Sequence, residues 1–458
     1  MPPLPPRQAR RAVASTLVAA GAVLALAGCS AVVQPNPHYE DGWSAVHADG
    51  HARNAVDIDG PRTLDLQWNR GLGAAPTGFA ASGPDEQLIV SARTDDGCQM
   101  FAFQLDNGRK KWCTWQNVGA GAMSPLVDQM AGIYVGNLGS ADAFDVYGQM
   151  RWHTPVIGLP QPLQFLEDHA VVAVTHLGQV NVLNTTTGRK LAPSVELVPT
   201  DWPPSPDEGL SDCAAAGPDC PVAYPPAADT SADDIYVPFR APDSDGAVLV
   251  AMHYSDGPGR GSDDADSDSP DSDAPDTDAP DSDADGAVTE RWRSQPLPGG
   301  VASAPAISDD GSTIYVLDGE NTLWALSSDD GSPQWSIRTG IDAGDTVSVS
   351  DSGLIVVGPA EAGPLVAVHD DGDGARISWR RDDLTATGPV AIAANDLGYV
   401  VTRSPRDTTS VVAVDLDDGH TVDTAGLDPR SGSSGVVVIS GEGRAVVVGS
   451  AGLVSVFD

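Results

Sequence analysis

One phrase recurs along this chain: a small or β-branched residue near a strand end, a turn closing on Gly about six positions later, and often a Trp about ten positions later. Copies begin at Ala102, Ala143, Val182, Ala251, Ala325, Ala367, Ala413 and Ser455. Around Ala325, Ile314-Tyr315-Val316 forms one strand, Leu323-Trp324-Ala325-Leu326 the next, Asp329-Asp330-Gly331 the turn, and Gln334-Trp335-Ser336 the strand that follows. Most copies stand about 41 residues apart, room for four short strands, and no stretch holds a 3.6-residue apolar period. The period predicts an all-β fold, an eight-bladed β-propeller.

The last copy supplies only the third strand of its blade, Gly452 to Asp458, before the sequence stops. Leu64-Asp65-Leu66-Gln67-Trp68 carries the same terminal Trp and supplies the missing fourth strand, so the ring closes by pairing the N- and C-terminal strands and leaves no open blade edge. Trp68, Trp112, Trp152, Trp292, Trp335 and Trp379 then share one role, packing between blades rather than stacking on a ligand.

Residues 1–28 have the layout of a secretion signal: Arg7, Arg10 and Arg11 precede the uncharged run Ala12 to Ala27, which is too short to span a membrane as a helix. Leu26-Ala27-Gly28-Cys29 resembles the lipobox of bacterial lipoproteins, which implies a lipid on Cys29, a tether over 29–42 and a domain over 43–458. Plain secretion is the weaker alternative. Four further cysteines suit two disulfides in an oxidising compartment. Cys98 and Cys113 flank the turn Asp106-Asn107-Gly108 and Cys213 and Cys220 close a short loop, so two local pairs are expected; a four-cysteine metal site lacks paired CxxC spacing.

Two insertions interrupt the period. Residues 199–230 are Pro-rich and hold Cys213 and Cys220, a candidate contact loop. Residues 258–286 lie in the turn of blade four, and the stretch 256–287 counts 12 Asp and one Arg, which predicts disorder. Asp281, Asp283 and Asp285 match the opening of an EF-hand-type calcium loop, but Trp292 stands where the bidentate Glu belongs, so no defined metal site is expected.

The stretch Trp43-Ser44-Ala45-Val46-His47-Ala48-Asp49-Gly50-His51-Ala52-Arg53-Asn54, with Gln67-Trp68 and the repeated Ala-x-Asp-x-x-x-Gly-x-x-x-Trp phrase, resembles pyrroloquinoline quinone-like (PQQ-like) propellers over residues 43 to 458. Ala192 and Asp423 stand in place of the blade Trp, and His253 and His369 in place of the Asp, where they are expected to bond the turn. The resemblance implies one of two functions. Quinoprotein dehydrogenases bind PQQ and Ca²⁺ in the funnel and oxidise alcohols or sugars; many carry a vicinal disulfide, and no Cys-Cys pair occurs here. Cofactor-free lipoproteins similar to the propeller subunit of the outer-membrane β-barrel assembly machinery act as interaction scaffolds.

Catalytic motifs are absent: no Gly-x-Ser-x-Gly elbow, Walker loop or HExxH. His47 and His51 have metal-ligand spacing, but Asp49-Gly50 breaks the helix it would need, so they read as solvated or capping. Asp370-Asp371-Gly372-Asp373-Gly374 reads as a blade turn. A formal charge of −39 argues against sequence-independent grip on nucleic acid or anionic lipid. The expectation is an extracytoplasmic, lipid-anchored scaffold for envelope or secreted proteins, attached through Cys29 and with no cofactor; the alternative is a PQQ- and Ca²⁺-dependent oxidoreductase.

Overall fold

A computed structural model describes residues 42–95, 97–115, 124–166, 169–199, 204–214, 216–217, 219–242, 244–256 and 286–458. Cys29, the signal, nearly all of the tether, and the acidic insertion with Asp281, Asp283 and Asp285 lie outside them.

Among the described residues, strands pair into six four-stranded antiparallel sheets and one eight-stranded sheet. The latter is two four-stranded halves joined by the single pairing Ala386↔Thr402. Each set of four is a blade, eight in all; blade five, for example, runs Ala306–Ile307, Thr313–Leu317, Thr322–Ser327, Pro333–Arg338 from the innermost strand outward. Blade eight is composite: Gly435–Ile439, Ala445–Gly449 and Leu453–Phe457 are completed by Leu66–Gly71, with Leu66 opposite Phe457 and Gly71 opposite Leu453.

The burial pattern explains why the inner strands read as continuous apolar runs. Ile133–Asn137 and Ala170–Val174 are buried at every position, because both faces of a blade press on its neighbours. The outermost Pro333–Arg338 buries Trp335 and half-buries Ile337, while the residues between and around them are exposed.

Tryptophan joins blade to blade. The indole Nε1 of Trp68 donates to Leu105 O at 2.6 Å, Trp112 to Val146 O at 2.7 Å, Trp152 to Thr185 O at 2.9 Å, Trp292 to Ser328 O at 2.9 Å and Trp379 to Leu416 O at 2.7 Å. Each acceptor belongs to the turn of the next blade. Trp335 donates instead to Asp370 Oδ1 at 2.9 Å. The turn glycines seat the rings: a Cβ on Gly108, Gly148, Gly188, Gly331 or Gly419 would come within 2.8 Å of the docked indole. Where Asp423 replaces Trp, its carboxylate accepts the Leu64 N–H at 2.7 Å and ties blade seven to the segment that completes blade eight. Past Ala192, Gly286 N donates to Leu191 O at 3.1 Å and links blades three and four.

Cys98 is bonded to Cys113 across blade one, and Cys213 to Cys220. The first insertion is shorter than 199–230, because Ala227–Asp229 is the innermost strand of blade four; it also holds a one-turn helix, Leu210–Cys213. His253 does not bond a turn: its Nδ1 lies 3.0 Å from Asp234 Oδ1 on the paired strand. His369 does face its turn, 3.2 Å from Asp371.

Candidate functional site

The innermost strand of every blade has no sheet neighbour toward the axis, so its inward N–H groups need other acceptors. The chain supplies them itself. Residues 43–54 pass along the axis and their carbonyls accept from one innermost strand after another: Trp43 O from Ser82 N at 2.7 Å, Ser44 O from Val127 N at 2.8 Å, Gly50 O from Ala228 N at 2.7 Å, His51 O from Ile307 N at 2.8 Å, Arg53 O from Val349 N at 2.8 Å and Asn54 O from Ile392 N at 2.8 Å. These are blades one, two, four, five, six and seven. Following the ring this closely needs left-handed backbone at four residues that are not glycine, with φ of 60° at His47, 85° at Ala48, 56° at Ala52 and 51° at Asn54. Such conformations persist only where surrounding bonds over-determine them.

This segment is a plug, and side chains lock it. Asn54 Nδ2 donates to Thr346 Oγ1 at 3.2 Å and Val347 O at 3.0 Å, so its Oδ1 must accept from His47 Nδ1 at 3.1 Å. That bond places the imidazole proton on Nδ1. His47 is buried rather than solvated, and burial lowers its pKa, so the ring is neutral. The solvated-or-capping expectation for His47 is thereby corrected; its left-handed backbone takes it inward instead.

Turns between the first and second strands, and between the third and fourth, lie at one end of every blade; the remaining turn and the crossover lie at the other. At the crossover end the axis opens into a funnel of about 1180 Å³ above the plug. Its wall includes Arg93, Pro160, His176, Cys213, Tyr224 and Glu361. The disulfide-closed insertion thus stands in the funnel wall, while Cys98, Cys113 and the six blade tryptophans do not line it. His176 accepts the Leu159 N–H on Nδ1 at 2.9 Å and donates from Nε2 to Glu208 O at 2.9 Å, which fixes that insertion against blade three. Burial lowers the His176 pKa, and burial together with the Asp345 charge raises that of Tyr224.

At the opposite end a chamber of about 230 Å³ includes Gly42, Asp49, Arg53 and Asp309 in its lining. Arg53 Nη1 donates to Asp351 at 2.6 Å and Asp309 at 2.9 Å, and Nη2 to Asp49 at 3.4 Å. Burial disfavours the guanidinium charge, but these carboxylates outweigh it and raise the pKa. His51 Nε2 lies 3.7 Å from Asp229. Sequence reasoning missed the plug and the Arg53 clamp; the visible signal was only that Asp309 and Asp351 occupy the equivalent turns of successive blades.

PQQ is a planar tricarboxylate that takes a cation and aromatic stacking. The funnel wall offers one arginine, Arg93, two carboxylates, Asp345 and Glu361, the rings of Phe79 and Tyr224, the imidazoles of His47 and His176, which are already bonded to Asn54, Leu159 and Glu208, a few neutral polar groups such as Gln161, and otherwise chiefly Ala and Pro. The plug occupies the axis beneath. This lining does not fit the cofactor, and no reaction step is derived through it.

Residues 283–380 match the family PQQ_2, outer membrane protein assembly factor BamB. Protein Rv3035 of Mycobacterium tuberculosis is 32% identical over 421 residues, 91% of this chain and 95% of that protein. BamB of Moraxella catarrhalis superposes with a TM-score of 0.56 at 12% identity, covering 86% of this chain and 99% of that one. The quinohemoprotein alcohol dehydrogenase of Comamonas testosteroni gives 0.59 at 14%, covering 92% and 81%. At these identities the two structures speak for the fold.

Proposed function

Because this chain belongs to the family of Protein Rv3035 and is a PQQ-like β-propeller resembling BamB, we propose that it is an extracytoplasmic scaffold, anchored by a lipid on Cys29, that binds envelope or secreted proteins in its funnel. The observation that carries this reading is the asymmetry of the axis. One end is sealed by the plug and the Arg53 clamp, whereas the other opens into a wide funnel walled by a disulfide-closed insertion and crossover loops. A wall of small apolar residues, backbone groups and few charges suits capture of a loop or peptide through shape and main-chain bonds.

The test is a photocrosslinking residue placed at Ala223 or Ala360 in the funnel wall, or at the exposed Ser336 on blade five as control, in cells of the source bacterium. Discrete protein adducts from the funnel positions and not from Ser336 are expected. Equal labelling at all three, or none at the funnel, would sink the scaffold reading.

A further inference from the structure

The chain-wide charge of −39 is unevenly spread around the ring, and its cations gather in one sector. At the plugged end each blade presents the turn between its third and fourth strands, followed by the start of its outermost strand. In blades one to three these stretches, 106–111, 145–151 and 184–190, carry Arg109, Lys110, Lys111, Arg151, Arg189 and Lys190 against Asp106 and Asp145, while the sequence between first and second strands at the same end adds Asp85, Glu86, Asp128, Glu167 and Asp168, of which Glu86 is paired with Arg444 and Asp128 accepts from Tyr134. In blades five to seven the equivalent stretches, 329–334, 370–378 and 415–421, carry eight aspartates and one arginine. All three lysines of the chain stand in the basic sector.

The docked tryptophans make this sector continuous. Trp112 bonds Val146 O, which sets Lys110 and Lys111 beside Tyr147; Trp152 bonds Thr185 O, which sets Arg151 beside the turn carrying Arg189 and Lys190. Lys111 donates to Gln87 Oε1 at 2.6 Å, Lys110 lies 5.7 Å from the Phe101 ring centroid, and Lys190 donates to Ser194 Oγ at 2.7 Å with the charge of Glu196 also acting on it. Large apolar side chains are exposed in the same place, Tyr147 at 71%, Met130 at 71% and Met150 at 55%, all on the plugged end of blade two. The described chain also begins at this end, where Gly42 lines the Arg53 chamber.

Cations interleaved with an exposed tyrosine and methionines match a surface that meets lipid headgroups: phosphates attract the lysines and arginines, while the apolar side chains enter the headgroup boundary. We propose that the plugged end of blades one to three is a membrane-facing surface that lies on anionic phospholipid. The acidic turns of blades five to seven are repelled by the same headgroups, so the charge asymmetry orients the ring and turns the funnel away from the membrane. This deepens the anchored reading and rests on it, since a tether must hold an otherwise acidic protein near the lipid.

The processed chain from Cys29 onward retains every described residue and has one thiol outside its two disulfides, so it can be coupled through Cys29 to a maleimide lipid in vesicles. Acylation of Lys110, Lys111 and Lys190 by a water-soluble ester, read by mass spectrometry, then footprints the surface. On vesicles with about 30% phosphatidylglycerol all three should react roughly threefold more slowly than on pure phosphatidylcholine, and about 0.5 M salt should abolish the difference. Equal rates on both vesicles overturn the proposal, as does stronger protection by soluble polyphosphate than by the anionic vesicles. The doubly substituted Tyr147→Ser, Met150→Ser chain should lose part of the protection; full protection there overturns the apolar contact. The mass of the N-terminal peptide from native membranes tests the anchor separately: an unmodified Cys29 removes that reading whatever the footprint shows.

Discussion

Replacing Arg53 with Met tests whether the plug is held by charge. The guanidinium side chain is 7% exposed, while its partners Asp49, Asp309 and Asp351 are 37%, 58% and 55% exposed. Breaking a fully buried pair costs about 3–5 kcal/mol. Here water reaches the orphaned carboxylates, so Arg53→Met should cost about 2–3 kcal/mol, or roughly 2–3 °C in Tm for a chain of this size. Much of that loss is repulsion among the carboxylates, so adding Asp309→Asn and Asp351→Asn to the Arg53→Met background should recover about 1 kcal/mol. Urea transitions followed by tryptophan fluorescence provide the assay, with Trp43 on the plug, 1% exposed, as an internal reporter. Hydrogen exchange at Ala228, Ile307, Val349 and Ile392, whose amides bond the plug, should accelerate in step. A loss under about 0.5 kcal/mol would refute the clamp.

Gly188 and Gly372 both have left-handed backbone, φ 72° and 85°, but a Cβ at Gly188 would lie 2.6 Å from Trp152 Cδ2 whereas one at Gly372 meets nothing within 4 Å. Gly372→Ala should therefore cost about 1–2 kcal/mol and Gly188→Ala about 1–3 kcal/mol more in denaturant melts; equal costs would remove the tryptophan seat from the account. The His51 pKa is raised: burial opposes its charge, but the Asp229 carboxylate 3.7 Å away and the charge of Asp49 outweigh that. A raised folded-state value means its stabilisation is complete below the ordinary histidine range and is lost as pH rises through the folded value, so His51→Gln should flatten the urea midpoint above about pH 6. Asp229 is lowered to about 2: burial opposes the shift, while the nearby His51 and the hydrogen bonds from Ser231 N and Oγ drive it, so its contribution is lost only as pH falls from about 4 toward that value. Calorimetric titration of PQQ with millimolar Ca²⁺ should give no one-to-one binding; a tight isotherm would overturn the reading of the funnel wall.

What could be read from the sequence is what repeats or stays local. The tryptophan phrase returns at a fixed period because every blade faces the same neighbour, so its copies counted the blades and assigned Leu66–Gly71 to the last one. Both disulfides close short loops, and the partner of each cysteine stood nearby in the chain. The plug had no such signature. Its bonds run from main-chain carbonyls to strands far along the chain, and its clamp joins Arg53 to Asp309 and Asp351 across separations of 256 and 298 residues. Carbonyls are the same in every residue type, so nothing in Trp43 to Asn54 marked them as acceptors. Only ring order and the tryptophan bonds set Lys110, Lys111 and Lys190 at the same end of one run of neighbouring blades. Periodicity determined the architecture; closure of the ring decided what lies on its axis and which turns share a face, because those neighbours are distant in sequence and adjacent only after the strands have paired.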